Sequence, residues 1–340
     1  MAISRLFDIS RRSMITYQRA MDVTSHNIAN AGNEDYSRQR ANLSTELTEK
    51  FAGITWGAGI KMDDIERIRN SLTESQIISN NQSYSFNERQ AVLLGGVEST
   101  LSEPSELGIS NLLGKVFNSW SELSTNPTSS ALRGNVIYAA QNLAVKVKSI
   151  NDDFTTIKSN IYNEFSDKIR DVNNHLQEIQ SINRQIAEVG AIGNNANDLL
   201  DVRDKLINEL SNLVNITVHY DSDNTASISI GGVFAVNSAS STEFEMNHTD
   251  GNLSMVSKTG GNVVALNSGE LGALTNIFSN KIPEYQNKLD AVIGQLVTSV
   301  NGIHTNGFTL DDPPQTAYDF FSGYINGELK IADEILADRN

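Results

Sequence analysis

Asp198, Asp201 and Asp204 recur every three residues, a spacing that sets side chains on one face of a helix. Three carboxylates so placed could hold a divalent cation or share acid–base work. Arg203 and Lys205 stand among them, however, and an ion-pair network at a surface or helix cap suits that mixture of signs better. The histidines at 26, 175, 219, 248 and 304 are scattered, with no H-E-x-x-H and no second histidine at ligand spacing. Asp221 and Asp223 open like a calcium loop, but Ala226 occupies the position that needs glycine and Gly232 the one that needs glutamate. No phosphate loop, dinucleotide fingerprint or nucleophile elbow occurs, and cysteine is absent. No catalytic, cofactor-binding or metal-ligating residue is therefore expected, and no cofactor. What remains is packing chemistry.

Packing chemistry is dense at the start of the chain. Phe7, Met14, Met21 and Ile28 repeat by seven, and Ile3, Ser10, Tyr17 and Thr24 fall on the neighbouring register. This is a coiled-coil seam with apolar a positions and mixed d positions. A helix with such a stripe gains its stability by packing it, at about 1.5–3 kcal/mol per fully buried side chain. Asn27 and Asn30 are poor helix-interior residues; they either end the helix and cap the next turn or present amides to a neighbouring subunit.

Behind this helix the pattern predicts a mainly α protein with a small antiparallel β insert (α+β), drawn out as an elongated rod of long helices. Residues 1–33 form the N-terminal coiled-coil helix. Residues 34–213 hold an extended, glycine-punctuated linker over about 30–70, helical character over 65–100, and a long-helix bundle. Helix is expected near 107–120, at 131–150 after the Asn126-Pro127 break, and at 154–189, where Phe165, Val172, Ile179 and Ile186 repeat by seven. Val214, Ile216, Val218 and Tyr220 alternate with polar residues, and Asp250-Gly251 and Gly260-Gly261 are hairpin signals, so 214–267 reads as the β insert. Residues 268–306 return as helix, begun or kinked at Pro283, and 307–340 form an irregular tail with a Phe320-Phe321 pair.

Composition narrows the partners. A net charge of -15 repels nucleic acid and anionic membrane, so neither is expected. The first forty residues, with six arginines against four acids, are the exception at +2, and a solvated helix face accounts for them. The charges that interrupt residues 1–21 leave no apolar region for a cleaved signal peptide, and no run is long enough to span a bilayer.

The run Val23 to Gln39, V-T-S-H-N-I-A-N-A-G-N-E-D-Y-S-R-Q, resembles the N-terminal signature of the axial proteins of the bacterial flagellum. Asn27-Ile28-Ala29-Asn30 is its most specific part, and Tyr36-Ser37-Arg38-Gln39 narrows the likeness to the hook-associated protein 1 family. The likeness continues through Gly57-Ala58-Gly59-Ile60, Ile65 to Arg69, Asn126-Pro127 with Arg133, Asn197 to Asp204, Ile282 to Tyr285, and Gly307-Phe308 with Phe320-Phe321. Two departures stand out. Asp35 replaces the glycine usual before the tyrosine, a turn that Asp survives because it tolerates positive φ. The second long helix that pairs with the N-terminal one in this family has no counterpart before Asn340, so the sequence is expected to be a fragment.

The resemblance implies a structural subunit of the hook–filament junction, outside the cell and secreted without a cleaved signal. It implies a homo-oligomeric ring, contact with hook protein and a neighbouring hook-associated protein, and delivery by the flagellar export machinery and a chaperone. The expected assembly interface is Ile3, Phe7, Met14, Tyr17, Met21, Asn27, Ile28, Asn30, Tyr36 and Arg38. A secreted coiled-coil binding module or adhesin shares the helices but gives no reason for the Asn27 and Tyr36 stretches. A wall-degrading hydrolase needs a convergent acid pair.

Overall fold

Apolar heptads and turn-forming breaks become long helices separated by short hairpins in the computed structural model of the protein, which describes residues 2–46, 49–51, 54–101, 105–192, 195–310 and 313–337. Helix α1 (Ala2–Ala29) leads into nested antiparallel pairs: β1 (Gln39–Thr45) with β4 (Ile60–Arg67), enclosing β2 (Glu49–Phe51) with β3 (Ile54–Trp56). Three helices follow, α2 (Ser71–Leu101), α3 (Ile109–Thr125) and α4 (Ser130–Ala191), then α5 (Asn197–Leu213). The meander β5 (Ile216–Tyr220), β6 (Ala226–Ile230), β7 (Val233–Val236) and the pair β8 (Phe244–Thr249) and β9 (Asn252–Ser257) complete the insert. Helix α6 (Gly269–Asn276) runs through a π-helical segment (Ile277–Lys281) into α7 (Ile282–His304), then β10 (Phe321–Ile325), β11 (Glu328–Ile331) and α8 (Asp333–Ala337).

The class is mainly α with a small antiparallel β insert, as the periodicities predict. Details differ. The stretch around 30–70 carries four strands, and Ile65 lies in β4, so helix begins only at Ser71. The helices expected at 131–150 and 154–189 are one 62-residue helix, because the polar Asn151-Asp152-Asp153 between them continues the turn. The tail is ordered by a hairpin with Asn326 and Gly327 at its tip. Pro283 does mark a transition: it lacks the N–H its helix would use, and the wider π turn lies immediately before it.

Two compact units form. The first comprises Met1–Phe86, Lys168–Met246 and Met255–Gly272; the second comprises Asn87–Asp167, Asn247–Ser254 and Ala273–Asn340. In the first, Val172, Leu176, Ile179 and Ile186 of α4 are buried, as are Ile207 and Leu210 of α5 and Ile228 and Ile230 of β6. In the second, Leu143, Ile150, Phe154, Ile161 and Phe165 of α4 are buried, and so are Ile293 of α7 and Phe320 and Phe321. The aromatic pair stacks edge-on at 4.8 Å, with Trp120 of α3 5.2 Å from Phe320.

One device recurs where helices meet strands. A helix-borne asparagine pairs its amide with the N–H and C=O of a strand's first residue. Asn173 does so to Phe244 (2.8 and 2.9 Å), Asn183 to Ala226 (2.8 and 3.0 Å), and Asn301 to Phe321 (2.8 and 2.9 Å). Each amide completes a strand end that would otherwise lack partners. Among the described residues, no helix is long and apolar enough to cross a membrane.

Candidate assembly interface

Helix α1 has two unlike faces. One carries Ile9, Ser13, Thr16, Ala20, Val23 and Asn27, spaced by threes and fours, with Thr16 and Val23 buried at 8% exposure. This face meets the β1–β4 pair. Thr16 Oγ1 donates to the Ile60 carbonyl at 3.3 Å, and a Cβ built on Gly59 would stand 3.1 Å from Ser13 Oγ. Gly59 also has φ of +100°, so close approach and backbone conformation both call for glycine.

The opposite face holds the apolar heptad, and nothing in the chain covers it among the described residues. Phe7 is 70% exposed, Met14 66%, Met21 69% and Ile28 72%, with Leu6, Ile15 and Tyr17 also exposed. A water-facing row of large apolar side chains on one helix makes this face a candidate interaction site. Burying the four heptad residues would contribute about 6–12 kcal/mol before the cost of association. The small and polar face is the one folded inward; the greasy face is left outward.

The C-terminal end of α1 is fastened by the Asn27 amide, the same device applied to β1. Asn27 Nδ2 donates to the Gln39 carbonyl at 2.8 Å, and Gln39 N donates back to Asn27 Oδ1 at 2.8 Å. Tyr36 Oη donates to the same oxygen at 2.9 Å, and its ring packs edge-on against His26 at 5.3 Å. Burial, then the nearby charges of Asp201 and Asp198, push the Tyr36 phenol above its ordinary pKa, so it stays a donor. Asn30 Nδ2 bonds back to the His26 carbonyl at 3.0 Å and closes the helix. The turn expected at Asp35 is present, closed by Tyr36 N donating to the Asn33 carbonyl at 3.2 Å, but Asp35 makes it without positive φ, and its carboxylate pairs with Lys205 at 3.1 Å.

Beneath this clasp lies the acidic triplet of α5. Arg67 Nη2 reaches Asp204 Oδ2 at 2.8 Å, and Arg69 Nη1 reaches the same oxygen at 2.5 Å. Arg203 Nη2 donates to Asp204 Oδ1 at 2.8 Å, and the Arg203 guanidinium also lies over the Tyr220 ring at 5.1 Å. Asp201 Oδ1 stands 2.7 Å from Arg67 Nη2 without hydrogen-bond angles, so that contact is ionic, while Asp201 Oδ2 accepts from Ser37 N at 3.3 Å. Gln39 Nε2 reaches Asp198 at 3.3 Å. The expectation of an ion-pair network holds in kind and fails in place: Arg67, Asp201 and Asp204 side chains are only about a tenth exposed. Burial by itself would raise the Asp204 pKa, but the charges of Arg203 and Arg67 and their hydrogen bonds outweigh it and hold the carboxyl below its usual range. Among the described residues, no three carboxylates, histidines or cysteines converge as a metal site.

Of the expected interface residues, Phe7, Met14, Tyr17, Met21 and Ile28 share the open face of α1. Asn27 and Tyr36 meet in the clasp, and Asn30 bonds within its own turn. Arg38 is exposed apart from them, using its carbonyl to accept from Ile68 N at 2.8 Å. The side chain of Ile3 lies outside the described residues. Sequence reasoning missed Gln39, Arg67 and Arg69, which tie the hairpin to α1 and α5.

Against known proteins, residues 94–321 match the family model described as the flagellar hook-associated protein FlgK helical domain. The chain is 27% identical to flagellar hook-associated protein 1 of Bacillus subtilis, over 97% of this chain and 74% of that protein. It is 24% identical to flagellar hook-associated protein 1 of Salmonella typhimurium, over 94% of this chain and 60% of that protein. Its fold is similar to the flagellar hook junction protein FlgK from Burkholderia pseudomallei, with a TM-score of 0.65, 21% identity, and coverage of 73% of this chain and 46% of that one. The chain thus spans part of the length of each of these relatives. With a family model covering most of its residues, the chain belongs to the flagellar hook-associated protein FlgK family.

Proposed function

We propose that this chain is a non-catalytic structural subunit of the bacterial flagellum, joining hook to filament by packing the open face of α1 against helices of neighbouring subunits. One observation carries the reading: the heptad Phe7, Met14, Met21, Ile28 faces water while the other face of α1 is already occupied. The clasp at Asn27 and the ion network behind it serve that face by fixing the direction of α1, so that the stripe arrives preorganised. The relatives' names, hook-associated protein 1 and hook junction protein, support placement outside the cell. A closed ring of identical subunits suits a single repeated stripe, with hook protein and another hook-associated protein above and below. Delivery by the flagellar export machinery with a chaperone follows from the same placement, since an exposed apolar helix needs cover before assembly.

Electron microscopy of flagella from a strain lacking the gene tests the reading. Hooks without attached filaments are expected; filaments of normal number and length would overturn it.

A further inference from the structure

The second unit contains a cleft of about 530 Å³, within the range of small-ligand sites. Helices α4 and α7 contribute to its wall, and two hairpin tips stand at it. One tip is Asp250 (φ 53°) with Gly251 (φ 76°), between β8 and β9; the other is Asn326 (φ 53°) with Gly327 (φ 79°), between β10 and β11. Both are two-residue turns with positive φ at each position, the tight form that holds a hairpin end rigidly.

Each tip is tied to a helix. Leu253 N donates to Ser279 Oγ at 3.0 Å, anchoring the first to the π-helical segment. Asn151 Nδ2 of α4 donates to the Gly327 carbonyl at 3.0 Å, and a Cβ on Gly327 would meet Asn151 at 2.9 Å, so the second tip requires glycine. Tyr324 Oη donates to Asp290 of α7, and burial with that bond pushes its pKa up to about 12, which keeps the donor in place. The walls are preorganised.

No lining residue offers a large apolar side chain. Asn252, Gln286, Asn287 and Asn326 line the cleft, and their side-chain amides bond to nothing else among the described residues. Lys158 lines it too, its ammonium held 4.9 Å over the Phe278 ring with no carboxylate partner, and burial pushes its pKa down. Asp250 and Asp290 set two carboxylates against that one ammonium, which disfavours an anion, and the Asp290 carboxylate already accepts from Tyr324.

From these unspent groups we propose that the cleft binds a neutral saccharide. Each ligand hydroxyl both donates and accepts, and so does each planar amide, so neighbouring hydroxyls match neighbouring amides. The ammonium and carboxylates add charge-assisted bonds to hydroxyls. An apolar ligand would leave these groups unpaired, and the two carboxylates, with the Lys158 ammonium beside them, form no metal-binding group among the described residues. This inference is independent of the junction reading.

Saturation-transfer NMR on the whole chain, with maltotriose and triacetylchitotriose as probes at millimolar concentration, tests it. Transfer from at least one sugar is expected, weakened at least about tenfold in Asn252→Ala/Asn287→Ala, the factor lost with two ordinary hydrogen bonds. Lys158→Met should weaken it as well, while Lys61→Ala in the other unit should not. The varied asparagines are exposed and make no internal bonds, so the fold should persist, as a matching thermal melt would show. Absence of transfer from both sugars, transfer unchanged in the double variant, or equal transfer from triglycine would overturn the proposal.

Discussion

Asp204→Asn removes one charge while keeping the shape of the side chain. In the wild type that carboxylate accepts from Arg67, Arg69 and Arg203 at 2.8, 2.5 and 2.8 Å, and its side chain is 10% exposed. Solvent screening is therefore weak, and three guanidiniums are left facing Asp201 and Glu74 alone. Breaking one partner of a buried pair costs about 3–5 kcal/mol, a range that allows for the single acceptor Asn retains. With a urea dependence of about 2 kcal/mol per molar, the unfolding midpoint of the first unit should fall by roughly 1.5–2.5 M. Amide exchange of β1 and β4 across a urea series reads that unit separately. The folded-state pKa of Asp204 is depressed, so its contribution is fully present above the unfolded value of about 3.9 and is lost as pH falls through the folded value. The gap between wild type and variant should thus be wide at pH 7 and narrow below about pH 4. A midpoint shift under about 0.5 M at pH 7, or a gap that does not change with pH, would refute the reasoning.

Asn27→Ala deletes three hydrogen bonds of 2.8–2.9 Å, worth about 2–3 kcal/mol together. Exchange protection should drop at Gln39 and through the last turns of α1, with β5–β7 unchanged. Asn183→Ala strands the N–H and C=O of Ala226 in a fully buried position, and should cost about 2–3 kcal/mol by thermal or urea melt. Gly269→Ala forces a Cβ to 2.7 Å from the Leu213 backbone at φ +72°, so a melt should show destabilisation of more than about 1 kcal/mol.

The helices were readable where apolar residues repeat over many turns, as from Phe165 to Ile186. They misled where tertiary contacts override local preference. Asn151 suggests a break between two helices, yet its amide is occupied by the Val147 and Gly327 carbonyls, and the helix continues through it. Strand β4 was hidden because Lys61, Asp63 and Glu66 face solvent, leaving little apolar alternation. The Asn326-Gly327 pair is a hairpin signal that the surrounding irregular composition masked.

Residue types in the ion network were visible, but their pairing was not. Arg67 and Asp204 lie 137 residues apart, and no local spacing announces that they meet. Burial was likewise hidden, since the same mixture of acids and arginines suits an exposed cap. The asparagine device did leave a trace: Asn183 falls between Ile179 and Ile186 on an otherwise apolar stripe. A polar residue at such a position must satisfy its amide, and a nearby strand end is what satisfies it.

Phe7→Asp/Met14→Asp/Met21→Asp, placed in the natural full-length gene and returned to the deletion strain, asks whether the open face of α1 builds the junction. All three side chains are at least 66% exposed, so the subunit should fold and melt normally. Micrographs should show bare hooks, with the variant released unassembled into the medium. Filaments attached at wild-type frequency would contradict the account.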